Sequence, residues 1–259
     1  VGIGWVVFSK ASDYRALDAC VPSAENKDPS TNIADVYANA AKYKQALHVQ
    51  ATQRVDYDMY PPVGGPHDGF WAACNGVVYT KPVRDENMVH TLEHGAVWIA
   101  YNPNTIAAGD LDILKGLVQD QQFMVMSPYP ALTDHPISLQ AWGHRLQVDS
   151  ASDPRVKEFI TALRRNPYVY PEIGATCEQP SFPTADPPPF DASPRGSDAI
   201  PLDGGTLAPA TSEMNGAPAA PTASGSGAPT QDPATGSDHA GSSGTETAAA
   251  STPGSAGSG

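Results

Sequence analysis

The feature that most limits what this chain can fold into is a change of composition near Pro180. Up to that point the sequence carries aromatic residues and aliphatic runs, enough for one domain with a hydrophobic core. From Phe182 to Gly259 it is mainly Pro, Ala, Gly, Ser and Thr, and Arg195 is its only Lys or Arg. Such a segment cannot bury enough apolar area to offset the entropy of ordering it. The sequence therefore predicts a globular domain over residues 35–180 and a disordered tail over residues 181–259.

The N-terminal run from Val1 to Phe8 is wholly apolar, and polar residues dominate after Ser9. It is too short to span a bilayer, because a spanning helix needs roughly 20 apolar residues. We interpret residues 1–9 as the end of a transmembrane anchor and residues 10–34 as an extracytoplasmic linker. An ordinary buried strand is the alternative for the apolar run. With an anchor, the chain is a single-pass protein of the cell membrane whose globular domain lies outside the cytoplasm.

The acidic balance of the chain argues against nucleic acid as a partner. There are 28 Asp and Glu residues against 15 Lys and Arg, and the formal net charge is −13. Binding to a phosphate backbone calls for clustered Lys and Arg, and the sequence contains no basic stripe. We therefore predict no nucleic-acid partner.

Hydrophobic periodicity predicts a mixture of helices and strands in the globular part. The predicted helices cover residues 35–50, 86–94, 110–121 and 153–165. The predicted strands cover residues 76–79, 96–101 and 123–126, with either a strand pair or one long strand over 137–148. Three prolines and two glycines between Pro61 and His67 predict a loop. Neither a βαβ fingerprint nor a nucleotide-binding glycine motif is present. The predicted fold class is α+β, a single domain with a mixed or antiparallel sheet and a few helices.

Four of the seven histidines lie close together in the sequence: His48, His67, His90 and His94. His90 and His94 are four residues apart, which places both imidazoles on one face of a helix. The string from His90 to His94 matches H-x-x-E-H, the signature of inverted zinc proteases, in which the Glu activates water. Those enzymes carry the motif inside a long helix, whereas Gly95 ends this one. Zinc hydrolysis, a purely structural histidine pair and metal binding without hydrolysis all stay open, and we favour the last.

Sulfur ligands favour copper among the possible metals, with zinc as the second choice. Met88, Met124 and Met126 carry thioethers, which together with imidazole suit copper better than magnesium or calcium. A methionine is nevertheless more often a core residue than a ligand. We predict the four histidines above as ligands, with Glu93, Met88 and Met126 as additional ligands or as residues that support them.

Several segments together resemble one known family. They are the stretch from Val49 to Tyr57, the loop Pro61–His67, then Trp71, Cys74, Gly76 and Tyr79, the stretch from Asn87 to Val97, the run Ser127-Pro128-Tyr129-Pro130, and Ala141-Trp142-Gly143. This region, roughly His48 to Cys177, resembles domain-of-unknown-function family 3105, whose pattern reads PP-x-x-G-x-H followed by HSLEHG-x-V. Thr91 stands where the family has Ser. His48, His67, His90, Glu93, His94 and Gly95 match its motif positions, whereas His135, His144 and His239 do not.

The resemblance implies an exported or membrane-anchored protein of a kind common in actinobacteria, and it supplies no activity. Within the family-like region, Cys74 and Cys177 are the preferred disulfide pair, which leaves Cys20 over. Two hypotheses on function remain. The first is a membrane-anchored, extracytoplasmic domain that binds a transition metal, with copper favoured. The second is a non-catalytic accessory subunit of a membrane-embedded protein complex.

Overall fold

The computed structural model describes residues 17–43 and 47–208. Residues 1–9, predicted to end a membrane anchor, and residues 209–259, most of the predicted tail, lie outside this part of the chain. In the described residues, no helix combines the length and the apolar character needed to cross a membrane.

A six-stranded mixed sheet forms the centre of the fold, which confirms the predicted α+β class. Its strand order is β1-β9-β8-β6-β7-β5. The strands are β1 (Tyr37–Ala38), β5 (Asn75–Val78), β6 (Val97–Tyr101), β7 (Met124–Pro128), β8 (Ile137–Ala141) and β9 (His144–Val148). Strand β7 is parallel to both β5 and β6, whereas β8, β9 and β1 continue the sheet in antiparallel fashion. Four short strands lie outside the sheet and form two parallel pairs: β2 (His48–Val49) with β4 (His67–Asp68), and β3 (Val55–Asp56) with β10 (Ile200–Pro201).

Three α-helices lie close to their predicted positions. Helix α1 (Asp85–Glu93) connects β5 to β6, and α2 (Ala108–Val118) connects β6 to β7. Both connections join parallel strands of one sheet, so the fold contains βαβ crossovers although the sequence shows no βαβ fingerprint. That fingerprint reports phosphate-binding glycines, which such a crossover does not need. Helix α3 (Pro154–Leu163) follows β9, and its N-terminus is capped by the Asp153 carboxylate, which accepts from the backbone N–H of Arg155 at 2.9 Å.

The two faces of the sheet bury different elements. Successive side chains of a strand point to opposite faces, and on β6 Trp98 packs in the same hydrophobic cluster as α1, whereas Ile99 packs with α2 and α3. The face that carries α1 also carries the proline-rich loop and the C-terminal part of the described chain. The four candidate histidines, of which His90 and His94 lie at the end of α1, are therefore on the α1 side of the sheet.

The predicted helix over residues 35–50 is wrong. In its place the chain forms β1, a 3-10 turn at Ala40–Lys42, and β2, with residues 44–46 outside the described part. Strand β1 pairs with β9, and the Asn39 N–H donates to the Gly143 carbonyl at 2.8 Å. These long-range hydrogen bonds outweigh the helical spacing of apolar residues, which is a weak local preference.

The described part of the predicted linker is packed on the domain. Cys20 and Ile33 are buried in the cluster formed with α2 and α3. The Asp28 carboxylate accepts from Nε2 of His144 on β9 at 3.0 Å. Residues 17–34 therefore belong to the domain, because β9 and α3 provide partners that the local sequence does not indicate.

The packed structure also continues beyond residue 180. Phe182 is buried between Phe70 and Tyr79, with ring centroids 5.1 and 6.0 Å away. Further along, the Arg195 guanidinium lies 3.1 Å from the buried Asp85 carboxylate, and β10 pairs with β3. Residues 181–208 are thus part of the domain. They are held by single aromatic and charged contacts, which produce no periodic apolar pattern, so the sequence did not predict this packing.

We predict that a chain ending at Ala208 keeps the unfolding temperature of the full chain, whereas one ending at Ala185 is less stable by at least about 3 kcal/mol. The shorter chain loses Arg195, the hydrogen-bonding partner of the buried Asp85 carboxyl, and the apolar contacts of Phe190, Ile200 and Leu202 with the core. Urea denaturation of both truncated chains measures the difference. Equal midpoints would contradict a contribution of residues 186–208 to stability.

Candidate metal centre

A parallel strand pair brings together the first two histidines. In the register of β2 and β4, His48 lies opposite His67, and the His67 N–H donates to the Leu47 carbonyl at 2.9 Å. The two imidazole centroids are 5.1 Å apart. His48 therefore reaches the site from a strand, and the helix predicted for this stretch would have placed it differently.

The loop before His67 is fixed by hydrogen bonds and close packing. The Tyr57 hydroxyl donates to the Pro66 carbonyl at 2.7 Å, and the Gly143 N–H donates to the Val63 carbonyl at 2.7 Å. Gly65 has a φ of +109°, and a Cβ there would lie 2.7 Å from the Leu202 side chain. A loop held in this way keeps His67 in place at low entropic cost when a ligand binds.

The remaining candidates lie in the last turn of α1 and just after it. His90 and Glu93 are three residues apart on the helix, and His94 is its C-cap. Gly95 ends the helix with a φ of +89°, as predicted, and a Cβ there would lie 2.7 Å from the Tyr170 ring. The ring centroids of His90 and His67 are 4.7 Å apart, and those of His90 and His94 are 4.6 Å apart.

Three of the imidazoles are oriented by backbone carbonyls. Nδ1 of His67 lies 2.8 Å from the Gly65 carbonyl, Nδ1 of His90 lies 2.6 Å from the Asp68 carbonyl, and Nδ1 of His94 lies 2.7 Å from the Thr176 carbonyl. A carbonyl oxygen only accepts, so each Nδ1 carries the proton and donates. In the neutral ring the lone pair is then on Nε2, which is the arrangement that protein-bound metals use.

These side chains converge in two overlapping groups. In the first, which we call the inner group, one ligand atom from each of His48, His67, His90 and Glu93 lies within 4.8 Å of every other. Glu93 Oε2 is 2.7 Å from Nε2 of His67 and 3.8 Å from Nε2 of His90. Ligand atoms at about 2.0–2.1 Å from a tetrahedral ion are about 3.3 Å from one another, so these separations lie on either side of that value.

Charge is balanced inside the inner group although water is largely excluded. His67 and His90 are fully buried, Glu93 is 3 % exposed, and His48 is partly buried. Burial opposes ionisation of Glu93, but the neighbouring histidines, His67 first, outweigh it and lower the pKa of this carboxyl. Burial likewise opposes protonation of His67, and the Glu93 carboxylate nevertheless raises the pKa of this imidazole. Glu93 is thus an ionised carboxylate among imidazoles, a donor set suited to a divalent cation.

The second group, which we call the outer group, consists of His90, His94 and Glu172, again with ligand atoms within 4.8 Å of one another. Nε2 of His94 lies 3.2 Å from Glu172 Oε2. The predicted ligand His94 therefore belongs to the outer group and not to the inner group. The fourth ligand of the inner group is Glu93. Glu172 was missed because it lies far along the chain from the histidines, in a stretch without any ligand motif.

Met88 and Met126, predicted as additional ligands, point away from the histidines. Met126 is buried in the cluster with α2 and α3, on the opposite face of the sheet. Met88 precedes His90 by two residues, about 200° around the helix, and is buried in the core on the α1 side. Both methionines are core residues, so thioethers give no support for copper.

Asp68 supports the site although no motif in the sequence indicates it. Its carbonyl holds His90, and its carboxylate accepts from the Phe70 N–H at 2.8 Å and pairs with Arg84. The Asn87 side chain donates to the Phe70 carbonyl at 2.6 Å. Together these contacts tie β4 and the loop after it to α1, and so fix His67 relative to His90.

The zinc-protease interpretation needs Glu93 as a base that activates water. In the structure this carboxylate contacts His67 and has a lowered pKa, which makes it a weak base. Helix α1 is also only nine residues long and ends directly after the motif. The geometry therefore favours Glu93 as a ligand or a balancing charge over a catalytic role.

The predicted disulfide between Cys74 and Cys177 is confirmed, and Cys20 is a buried free thiol. The Cys74 N–H donates to the Cys177 carbonyl at 3.0 Å. Thr176, whose carbonyl orients His94, is the neighbour of Cys177. The disulfide thus holds the segment that contains Thr176 next to Cys74, which directly precedes β5.

Replacing Cys177 by Ser should lower the free energy of unfolding by about 4 kcal/mol, because the bond closes a long loop in the unfolded chain. The two cysteines are 103 residues apart. Chemical denaturation with and without reductant measures this effect, and Cys20→Ala is the matched control that keeps the bond. A Cys177→Ser chain as stable as the oxidised wild type would contradict the expected contribution.

Comparison with known proteins gives a family and nothing more specific. The family described as "Protein of unknown function (DUF3105)" matches residues 48–179, which is about half of the chain and includes both groups of candidate ligands. No curated protein and no solved structure matches the chain.

Proposed function

The chain belongs to the DUF3105 family, and we propose that it binds one divalent transition-metal ion through His48, His67, His90 and Glu93. The observation that carries this proposal is the convergence of these four side chains, three of them buried, with Nδ1 of His67 and His90 donating to carbonyls. An ionised carboxylate among three imidazoles is a donor set that one cation can bind with all four side chains at once.

The donor set indicates which ions to test first. Three imidazoles and a carboxylate suit Zn²⁺ and Cu²⁺ and are poorly suited to Mg²⁺ or Ca²⁺, which prefer oxygen ligands. For a given set of nitrogen and oxygen ligands, Cu²⁺ generally binds more tightly than Zn²⁺. We therefore propose copper as Cu²⁺ and zinc as the second choice, on the basis of imidazole and carboxylate rather than thioether ligands.

We also propose that the domain works outside the cytoplasm, attached to the membrane by the N-terminal segment. The disulfide between Cys74 and Cys177 supports an oxidising compartment. Fractionation of cells that express the full chain tests the attachment.

Purified wild-type chain should bind one equivalent of Cu²⁺ or Zn²⁺, and His67→Gln and His90→Gln should each weaken binding by more than about 100-fold. This loss exceeds that expected for a residue that only supports a ligand. Equilibrium titration against a competing chelator gives the affinities, and circular dichroism checks the fold. His135→Gln is the matched control, because His135 is partly exposed and pairs with Asp149.

Unchanged affinity in both variants would contradict the proposal. If the wild type binds neither ion and membrane subunits co-purify with it, the accessory-subunit hypothesis takes its place.

Cu²⁺ should also quench the tryptophan fluorescence of the chain, whereas Zn²⁺ should not, because only Cu²⁺ is paramagnetic. The Trp71 ring centroid lies 5.4 Å from that of His90, and the Trp142 centroid lies 6.1 Å from that of His67. Trp71→Phe should remove part of the quenching and leave the affinity unchanged. Quenching that persists in His90→Gln would place the ion elsewhere.

A further inference from the structure

We propose that the outer group is a transient binding position through which the ion reaches and leaves the inner group. This inference rests on the proposed function. The two groups share His90, and they differ in access to solvent: the Glu172 side chain is 38 % exposed, whereas Glu93 is 3 % exposed. An ion that arrives from water on this side meets the Glu172 carboxylate first.

The shared histidine allows only one group to hold an ion at a time. Nδ1 of His90 donates to the Asp68 carbonyl, so its neutral ring has a single lone pair, on Nε2. One lone pair cannot coordinate two ions. The groups are therefore two alternative positions for one ion. The ion passes from one to the other by exchanging its other ligands while it stays bound to Nε2 of His90.

The outer group has the features of a transfer position. Its carboxylate is 3.2 Å from Nε2 of His94, and the His94 and His90 rings are 4.6 Å apart at their centroids. It offers three ligands, one fewer than the inner group. The ion thus has a carboxylate beside it in both positions, Glu172 in the outer group and Glu93 in the inner group. It also has fewer ligands to exchange in the outer group than in the inner group.

Glu172 is also held at a fixed distance from the inner group. The Glu172 N–H donates to the Glu93 carbonyl at 3.3 Å, which links the backbones of the two carboxylate residues. The Thr176 carbonyl orients His94, and the disulfide at Cys177 holds that segment. Three separate contacts therefore fix the positions of the outer-group residues.

Stopped-flow fluorescence with the full chain tests the proposal, using Cu²⁺ alone for uptake and excess EDTA for release. Glu172→Gln should slow uptake and release by the same factor, about tenfold, and leave the dissociation constant unchanged. A residue that stabilises only the route changes both rates equally, whereas a ligand of the final position changes the affinity. His94→Gln should act in the same direction. Glu178→Gln, an exposed carboxylate on the same segment, is the matched control.

Four results would overturn the proposal. Unchanged rates in Glu172→Gln would indicate entry past the partly buried His48. Slower uptake with unchanged release would mean that Glu172 attracts the ion only by its charge, and a weaker affinity with faster release would make it a ligand of the resting position. Binding of two equivalents by the wild type would contradict the sharing of His90. A wild type that binds no Cu²⁺ would instead refute the proposed function itself, which distinguishes the two failures.

Discussion

Donation from imidazole Nδ1 to backbone carbonyls is the interaction on which the arrangement of this site depends. At His67, His90 and His94 the acceptor is a carbonyl of the surrounding backbone, so the fold fixes both the tautomer and the direction of each ring. The Gly65 and Asp68 carbonyls belong to one stretch around His67, and the Thr176 carbonyl belongs to a second stretch far along the chain. The relative position of those segments therefore determines where the three Nε2 atoms lie, and an error in any one of them would separate the ligands.

The rest of the fold holds those segments together. The sheet carries α1 through its two flanking strands, and the parallel pair of β2 and β4 places His48 opposite His67. The Cys74–Cys177 bond fixes the segment that carries the His94 acceptor. Residues 181–208 cover the same side of the sheet, with Phe182 in the core and Arg195 paired with Asp85. Most of these contacts join residues that are far apart in sequence.

That distribution explains which features the sequence could predict. The turn that contains His90, Glu93, His94 and Gly95 was predicted, because helical spacing and a glycine stop are local signals. Strand structure around Gly143 was predicted for the same reason, with a strand pair and one long strand as alternatives, and the structure has the pair. The strand conformation of His48 was not, because it depends on pairing with His67 across a loop. Nor was Glu172, whose place in the outer group depends on the backbone contact with Glu93.

Helix α1 points its C-terminal end, which favours positive charge, towards the candidate ligands. Peptide dipoles aligned along a helix leave a partial negative charge at the C-terminus, and a cation there gains about 0.3–1 kcal/mol. The first turn of α1 carries Asp85 and Glu86, where negative charge is favourable, and the last turn carries His90 and Glu93. The backbone of α1 thus attracts positive charge to the region between His90 and Glu93, independently of the side chains. A replacement of Glu93 would leave this part of the field in place, so the site would keep some preference for cations even without its carboxylate.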